Sequence, residues 1–194
     1  MAIPGFTIDG IVPPFIGNGP GDHSALMSPY EADASEVVAR FGTSDKRREI
    51  LGKWLDYRQA LRDIGLQSGF QWLDGSFLEE KEPKDLDLVS FVYKPSKLDT
   101  PEAVQAFIAE NISLLDRDLV KANYRLDAFL LELDGSPEAL VDSSRYYLQL
   151  FSHQRSTFLW KGMVQVSLDA VQDAAAKEQL LISSDIKETE ENQL

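Results

Sequence analysis

The sequence predicts an α/β or α+β fold, in which a small mixed β-sheet is flanked by helices. Three observations predict it. Helical and strand periodicities alternate along the chain. Two strand-like runs, 69–74 and 86–93, follow one another with a connection too short for a helical crossover, so they should pair antiparallel. The later strands are separated by segments that begin with helix caps.

Residues 1–27 are rich in Gly and Pro and read as an extended arm with short apolar anchors, Ile11, Val12 and Phe15. The GNGPG run within it lacks the lysine and the strand–loop–helix context of a phosphate loop. Ser28-Pro29-Tyr30-Glu31 reads as a helix start, with Ser28 as cap, Pro29 in the first turn and Glu31 completing a capping box. That helix should reach about Phe41. A second runs from Ser44 to Ile64, with Ile50, Leu51, Trp54, Leu55, Leu61 and Ile64 at helical spacing and Gly65 as its stop.

Gly69–Asp74 is a strand that Gly75-Ser76 ends, and Leu86–Tyr93 is the next. Thr100-Pro101-Glu102 opens a helix that continues, past a bend, to Val120. Tyr124–Leu133 is a third strand. Asp134-Gly135-Ser136-Pro137 forms a turn and caps a helix to about Phe151. Met163–Ser167 is a short last strand, and a helix follows from Leu168 into the 170s. The division expected is an arm (1–27), one domain (28–182) and an acidic, disordered tail (183–194).

Composition narrows the chemistry. The formal net charge is −13, so the surface repels nucleic-acid backbones and anionic membranes, and general nucleic-acid binding is not expected. A small nucleotide is compatible with that charge when a bound metal offsets its own. There are no cysteines, which excludes disulfides, thiolate zinc sites and cysteine nucleophiles. His23 and His153 lie far apart and read as structural. No apolar run is long enough to span a bilayer, and the start of the chain has no signal-peptide pattern, so a cytoplasmic protein is expected. The Ser44–Ile64 helix carries Lys46, Arg47, Arg48, Lys53, Arg58 and Arg62 among Asp45, Glu49, Asp56 and Asp63. This is a solvated face of ion pairs or, functionally, a locally basic wall near a phosphate-bearing substrate.

The chemistry concentrates around the second strand. Asp85 and Asp87 are spaced i, i+2, so their side chains point the same way. Like charges that close repel, and burial sharpens the repulsion. Asp127 lies within the apolar run of the third strand, flanked by Leu126 and Ala128. If that strand lies beside the second, three carboxylates converge. With no histidine or thiolate among them, they form a hard, oxygen-only set suited to Mg²⁺ or Mn²⁺. Gly75 lets backbone approach a ligand closely, and the Ser76 hydroxyl and nearby N–H groups can hold phosphate oxygens. The plain alternative is that Asp85 caps a turn while Asp87 and Asp127 face solvent. Lys84, Arg125 and Lys161 are candidates to neutralise phosphate, or are surface cations. Trp72, Trp160, Tyr146 and Tyr147 either stack on a base or pack the core.

Gly75-Ser76, then Asp85-Leu86-Asp87-Leu88, then Asp127 on a later strand resembles the signature of the DNA polymerase beta-like nucleotidyltransferase superfamily. The small bacterial members, found in toxin–antitoxin and phage-defence settings, are the most similar. The GIVPPF-like arm and the pair Lys161-Gly162 add to the likeness. The resemblance implies a polymerase-beta-like core and a two-metal transfer of a nucleoside monophosphate from an NTP to a hydroxyl. The acceptor would be a protein, an RNA end or a small molecule. Asp85 and Asp87 would hold both Mg²⁺ or Mn²⁺ ions, and Asp127 would complete the catalytic one and orient the hydroxyl. Gly75, Ser76, Lys84 and Lys161 would contact phosphates. The chain departs from the pattern in the eight-residue loop between Ser76 and Asp85, which is slightly short and carries Glu79, Glu80 and Glu82. Those acids favour the alternative, a non-catalytic module that senses a nucleotide or binds a protein partner or another copy, as an antitoxin or defence-system component does. A glycosyltransferase using Asp-Leu-Asp to hold a nucleotide-sugar metal would leave Gly75-Ser76 without a role.

Overall fold

The computed structural model describes residues 3–191, with side chains described through Ile182. The main sheet has five strands in the order β3-β7-β4-β5-β6, and a separate two-stranded ribbon pairs β1 (Phe15–Ile16) with β2 (Leu26–Met27). In the main sheet, β3 (Tyr30–Ala32) runs parallel to β7 (Val164–Ser167), β4 (Gly69–Asp74) runs antiparallel to both β7 and β5 (Leu86–Val92), and β5 runs parallel to β6 (Leu126–Glu132). The mixed sheet flanked by helices is the architecture expected, including the antiparallel β4–β5 pair.

One helix start differs from its reading. Tyr30–Ala32 is a strand, and α1 (Ala34–Phe41) begins after Asp33, whose carboxylate accepts from the Glu36 N–H while Glu36 returns a bond to the Asp33 N–H. Ser28 Oγ instead accepts the Met163 N–H at 2.8 Å, and the Tyr30 N–H donates to the Met163 carbonyl at 2.9 Å. The long-range parallel pairing with β7 therefore overrides the local capping pattern of Ser28 and Glu31.

Helix α2 (Asp45–Asp63) is capped by Ser44, as expected, and buries Ile50, Leu51, Trp54, Leu55 and Leu61 completely. Three of its six cations form neither a basic wall nor a solvated face. Arg47, Arg58 and Arg62 are buried structural groups. Arg58 donates to both Asp173 carboxylate oxygens, to Gln71 Oε1 and to the Ser167 and Asp169 carbonyls, tying α2 to the segment after β7. Arg62 pairs with the same Asp173 at 2.8 Å. A guanidinium supplies enough donors in fixed geometry to satisfy several buried acceptors at once.

The β5–β6 connection holds α3 (Pro101–Glu110), α4 (Ile112–Leu115) and α5 (Arg117–Tyr124), and α6 (Pro137–Phe151) follows β6. Helix α7 covers Asp173–Glu191, so helical backbone continues through much of the stretch read as a disordered tail; residues 192–194 lie outside the described residues. The segment lacks Gly and Pro and is rich in Ala, Lys, Glu and Leu, all good helix formers. Ile11 and Val12 of the N-terminal arm are buried, and the Gly162 N–H donates to the Val12 carbonyl at 2.8 Å. No helix among the described residues is long and apolar enough to cross a membrane.

Candidate functional site

Register across β4, β5 and β6 assembles the site. Asp74 lies opposite Asp87, and Asp87 lies opposite Asp127. Directly paired residues of neighbouring strands share a sheet face, so these carboxylates form one row, with Asp85 two positions before Asp87 on the same face. The Trp54 indole and Arg58 of α2 bond Gln71, whose side chain is on the opposite face. The acids thus look away from α2, into a cleft of about 530 Å³ that Gly75 and Ser76 also line.

Gly75 starts a 3₁₀ turn (Gly75–Leu78) with φ +72°, in the left-handed region. A Cβ at this position would lie 1.7 Å from Asp87 Oδ2. Only glycine allows the turn to approach the Asp87 carboxylate this closely.

The four aspartates have different surroundings. Asp127 is chelated by Arg117, whose Nη2 lies 2.8 Å from Oδ2, and it also accepts from Lys121 Nζ at 3.0 Å. The Arg117 hydrogen bond, with help from Lys121, holds its carboxyl below the usual range against the opposing effect of burial. Lys121 also reaches Asp85 Oδ2 at 2.9 Å, so one ammonium bridges the two carboxylates. Asp87 has no hydrogen bond or ion pair among the described residues. Burial first, then the charges of Asp85 and Asp127, push its carboxyl upward. Asp74 is buried beside Lys161 Nζ at 2.9 Å, and burial pushes it up to about 7 despite that cation.

The structure brings Gly75, Ser76, Asp85, Asp87 and Asp127 together around the cleft, as the motif reading expects. Lys161 also lines it, but is buried and committed to Asp74, to the Gly75 carbonyl at 2.8 Å and to Glu79 at 3.7 Å. It supports the turn from beneath instead of standing free for a phosphate. Lys84 is exposed and outside the cleft lining, and Arg125 pairs with Glu49 on the surface. Of the loop acids, Glu79 turns inward to Lys81 and Gln154, while Glu80 and Glu82 are exposed. Arg47 fixes that loop by donating to the carbonyls of Phe77, Glu79 and Lys81. Trp72 and Tyr147 are core residues, Trp160 packs on Phe15, and Tyr146 stands exposed at the cleft wall.

Sequence reasoning missed Asp74, Arg117 and Lys121, and it read His153, which is at the cleft, as structural. The i, i+4 spacing of Arg117 and Lys121 on a helix leading into the Asp127 strand was a usable signal.

An all-carboxylate donor set with one unpaired member has the chemistry for a hard divalent cation. As they stand, no three acidic or histidine side chains among the described residues are grouped to hold one. Lys121 sits between Asp85 and Asp127 where an ion would be shared.

A sequence model of a family of unknown function, DUF6932, matches residues 4–167, which contain every strand of the sheet and all the aspartates of the cleft. No curated protein matches the chain, and no solved structure matches it.

Proposed function

This chain belongs to the DUF6932 family, and from the geometry of its cleft we propose that it is a metal-dependent nucleotidyltransferase. The observation that carries the reading is the placement of Asp85, Asp87 and Asp127 on one face of two adjacent parallel strands, against the Gly75-Ser76 turn. Asp85 and Asp87 would hold Mg²⁺ or Mn²⁺, with Asp127 completing the set. Bound there, the ion supplies activation of the acceptor hydroxyl and neutralisation of triphosphate charge.

The chain's own residues position the reactants. Gly75 and Ser76 contact the β- and γ-phosphates, and Asp127, fixed by Arg117, orients the acceptor hydroxyl. The acceptor oxygen bonds to the α-phosphorus as the bond to the bridging oxygen breaks. Pyrophosphate leaves and the hydroxyl proton passes to water. Lys161 holds the Gly75 carbonyl and so keeps the turn in place while phosphates bind. The acceptor is a protein hydroxyl, an RNA end or a small molecule, and the net negative charge of the chain favours the smaller or less anionic of these.

A transfer assay tests this. The protein is incubated with each α-labelled NTP and Mg²⁺ or Mn²⁺, with and without cell extract, beside an Asp85→Ala/Asp87→Ala control. Label on an acceptor with intact aspartates alone is the expected result. Absence of transfer under every condition, together with absence of metal-dependent NTP binding, rejects the reading.

One observation favours a second reading. Arg117 and Lys121 neutralise Asp127 and Asp85 in place, as suits a module that binds a nucleotide or a protein partner without turnover. Metal-dependent NTP binding without transfer would select it.

A further inference from the structure

Lys121 bonds Asp85 Oδ2 at 2.9 Å and Asp127 Oδ2 at 3.0 Å. Its Nζ therefore lies where a cation shared by those carboxylates would lie, and Arg117 occupies the remaining side of Asp127. Both cations are long and about half exposed, at 45% for Lys121 and 53% for Arg117, whereas Asp127 is buried. The acids are fixed by the sheet, and Arg117 is held by its fork on Asp127 and by the Phe129 ring 4.8 Å away, whereas Lys121 is held by the ion pairs of its ammonium. Asp87, between them, keeps an unpaired carboxylate.

We propose that Lys121 is a built-in counter-ion that competes with the divalent cation for Asp85 and Asp127. When the metal enters, Lys121 is handed to the phosphates of the incoming nucleotide, while Arg117 keeps its hold on Asp127. Asp87, already unpaired, is the point of entry for the ion. Displacing Lys121 from Asp85 and Asp127 costs its ion pairs, and those are recovered on the phosphate oxygens. Metal and nucleotide therefore bind with positive coupling, each making room for the other. This rests on the metal-dependent reading above and adds the residue that links its two ligands.

The test measures binding, not turnover, with Mn²⁺ alone and then with inorganic pyrophosphate at saturating Mn²⁺. It compares the wild type with Lys121→Ala and Lys121→Met, the second of which keeps the aliphatic stem. Free Mn²⁺ is followed by paramagnetic resonance, pyrophosphate by calorimetry, and folding by thermal melting. Removing the competing ammonium should tighten Mn²⁺ binding by about three- to tenfold in both variants, the range expected of a half-exposed ion pair. Pyrophosphate binding should weaken by a similar factor in both. Unchanged or weaker Mn²⁺ affinity overturns the competition, and unchanged pyrophosphate affinity overturns the hand-over. Either result would leave the metal site standing. If neither the wild type nor the variants bind Mn²⁺, the metal-dependent reading falls and the counter-ion role falls with it.

Discussion

Gly75 and Asp87 share a space that has room for a hydrogen but not for a methyl group: a Cβ on Gly75 would lie 1.7 Å from Asp87 Oδ2. Gly75 also has φ +72°, a conformation that costs an L-residue about 1–2 kcal/mol. Gly75→Ala should therefore lower stability by at least that amount and push the Asp87 carboxylate aside. The expected outcome is a folded but less stable protein that has lost metal-dependent nucleotide binding, read by denaturant melts and calorimetry. A variant that binds as the wild type does would show that the close approach has no role in the site.

Asp87 pulls stability and function in opposite directions. Its carboxyl is pushed upward by burial and by Asp85 and Asp127, and no cation pairs with it. Asp87→Asn removes that repulsion while keeping the shape. It should stabilise the protein by about 0.5–2 kcal/mol, the usual range for relieving such a conflict, and reduce nucleotidyl transfer by about 10²-fold or more. A destabilised Asn variant would mean that the charge is satisfied within the fold.

Lys161 and Asp74 form a buried pair, at 2% and 4% side-chain exposure. Above about pH 7, where Asp74 is ionised, removing its partner leaves that charge stranded, so Lys161→Met should cost about 3–5 kcal/mol there. Adding Asp74→Asn to it should restore a large part of that loss. Urea melts of the two single variants and the double variant measure the coupling, and strict additivity would contradict it.

The same aspartate should leave a mark on the pH dependence of stability. Its carboxyl is raised from 3.8 to about 7, so the folded state holds a proton that the unfolded chain has released. The stability from this group is complete below 3.8 and is lost as pH rises through about 7. Asp127 has the opposite sign: its lowered pKa adds stability above 3.8 that disappears on acidification. Across the interval between 3.8 and about 7, the wild type should thus lose denaturation midpoint as pH rises, and Asp74→Asn should flatten that fall. An unchanged slope would assign the fall to other groups.

Arg58 tests whether the α2 cations are structural. It donates to Asp173, Gln71 and two carbonyls after β7. Arg58→Lys should destabilise the fold by about 3 kcal/mol, because a single ammonium cannot replace the planar fork of donors. Its nucleotide binding should match that of the wild type at temperatures where it is folded.

Much of the sheet was legible because its strands are long apolar runs bounded by Gly, Ser, Asp and Pro. The grouping of Asp85, Asp87 and Asp127 followed from period-two alternation together with one assumption, that β6 adjoins β5. Asp74 was not legible as a member of the row. A single acid before Gly-Ser at a strand end reads as turn chemistry, and only the β4–β5 register sets it opposite Asp87. Arg117 and Lys121 resemble ordinary surface cations, since their partners lie on other elements. Ser28 misled because its true partner, Met163, is 135 residues away. Lys161 looked like a surface cation because nothing local announces its partners Asp74, the Gly75 carbonyl and Glu79, which lie far earlier in the chain.

The position of β7 between β3 and β4 has a consequence during synthesis on the ribosome. The strand that joins the first sheet segment to the rest is the last to emerge. Until Val164–Ser167 leaves the exit tunnel, β3 has no neighbour, one edge of β4 stands open, and Arg58 lacks its Ser167 and Asp169 acceptors. Lys161 emerges just ahead of that strand. The nascent chain therefore carries its row of acids before it carries the lysine that pairs with Asp74, and the cleft reaches its final charge balance only when the sheet is closed.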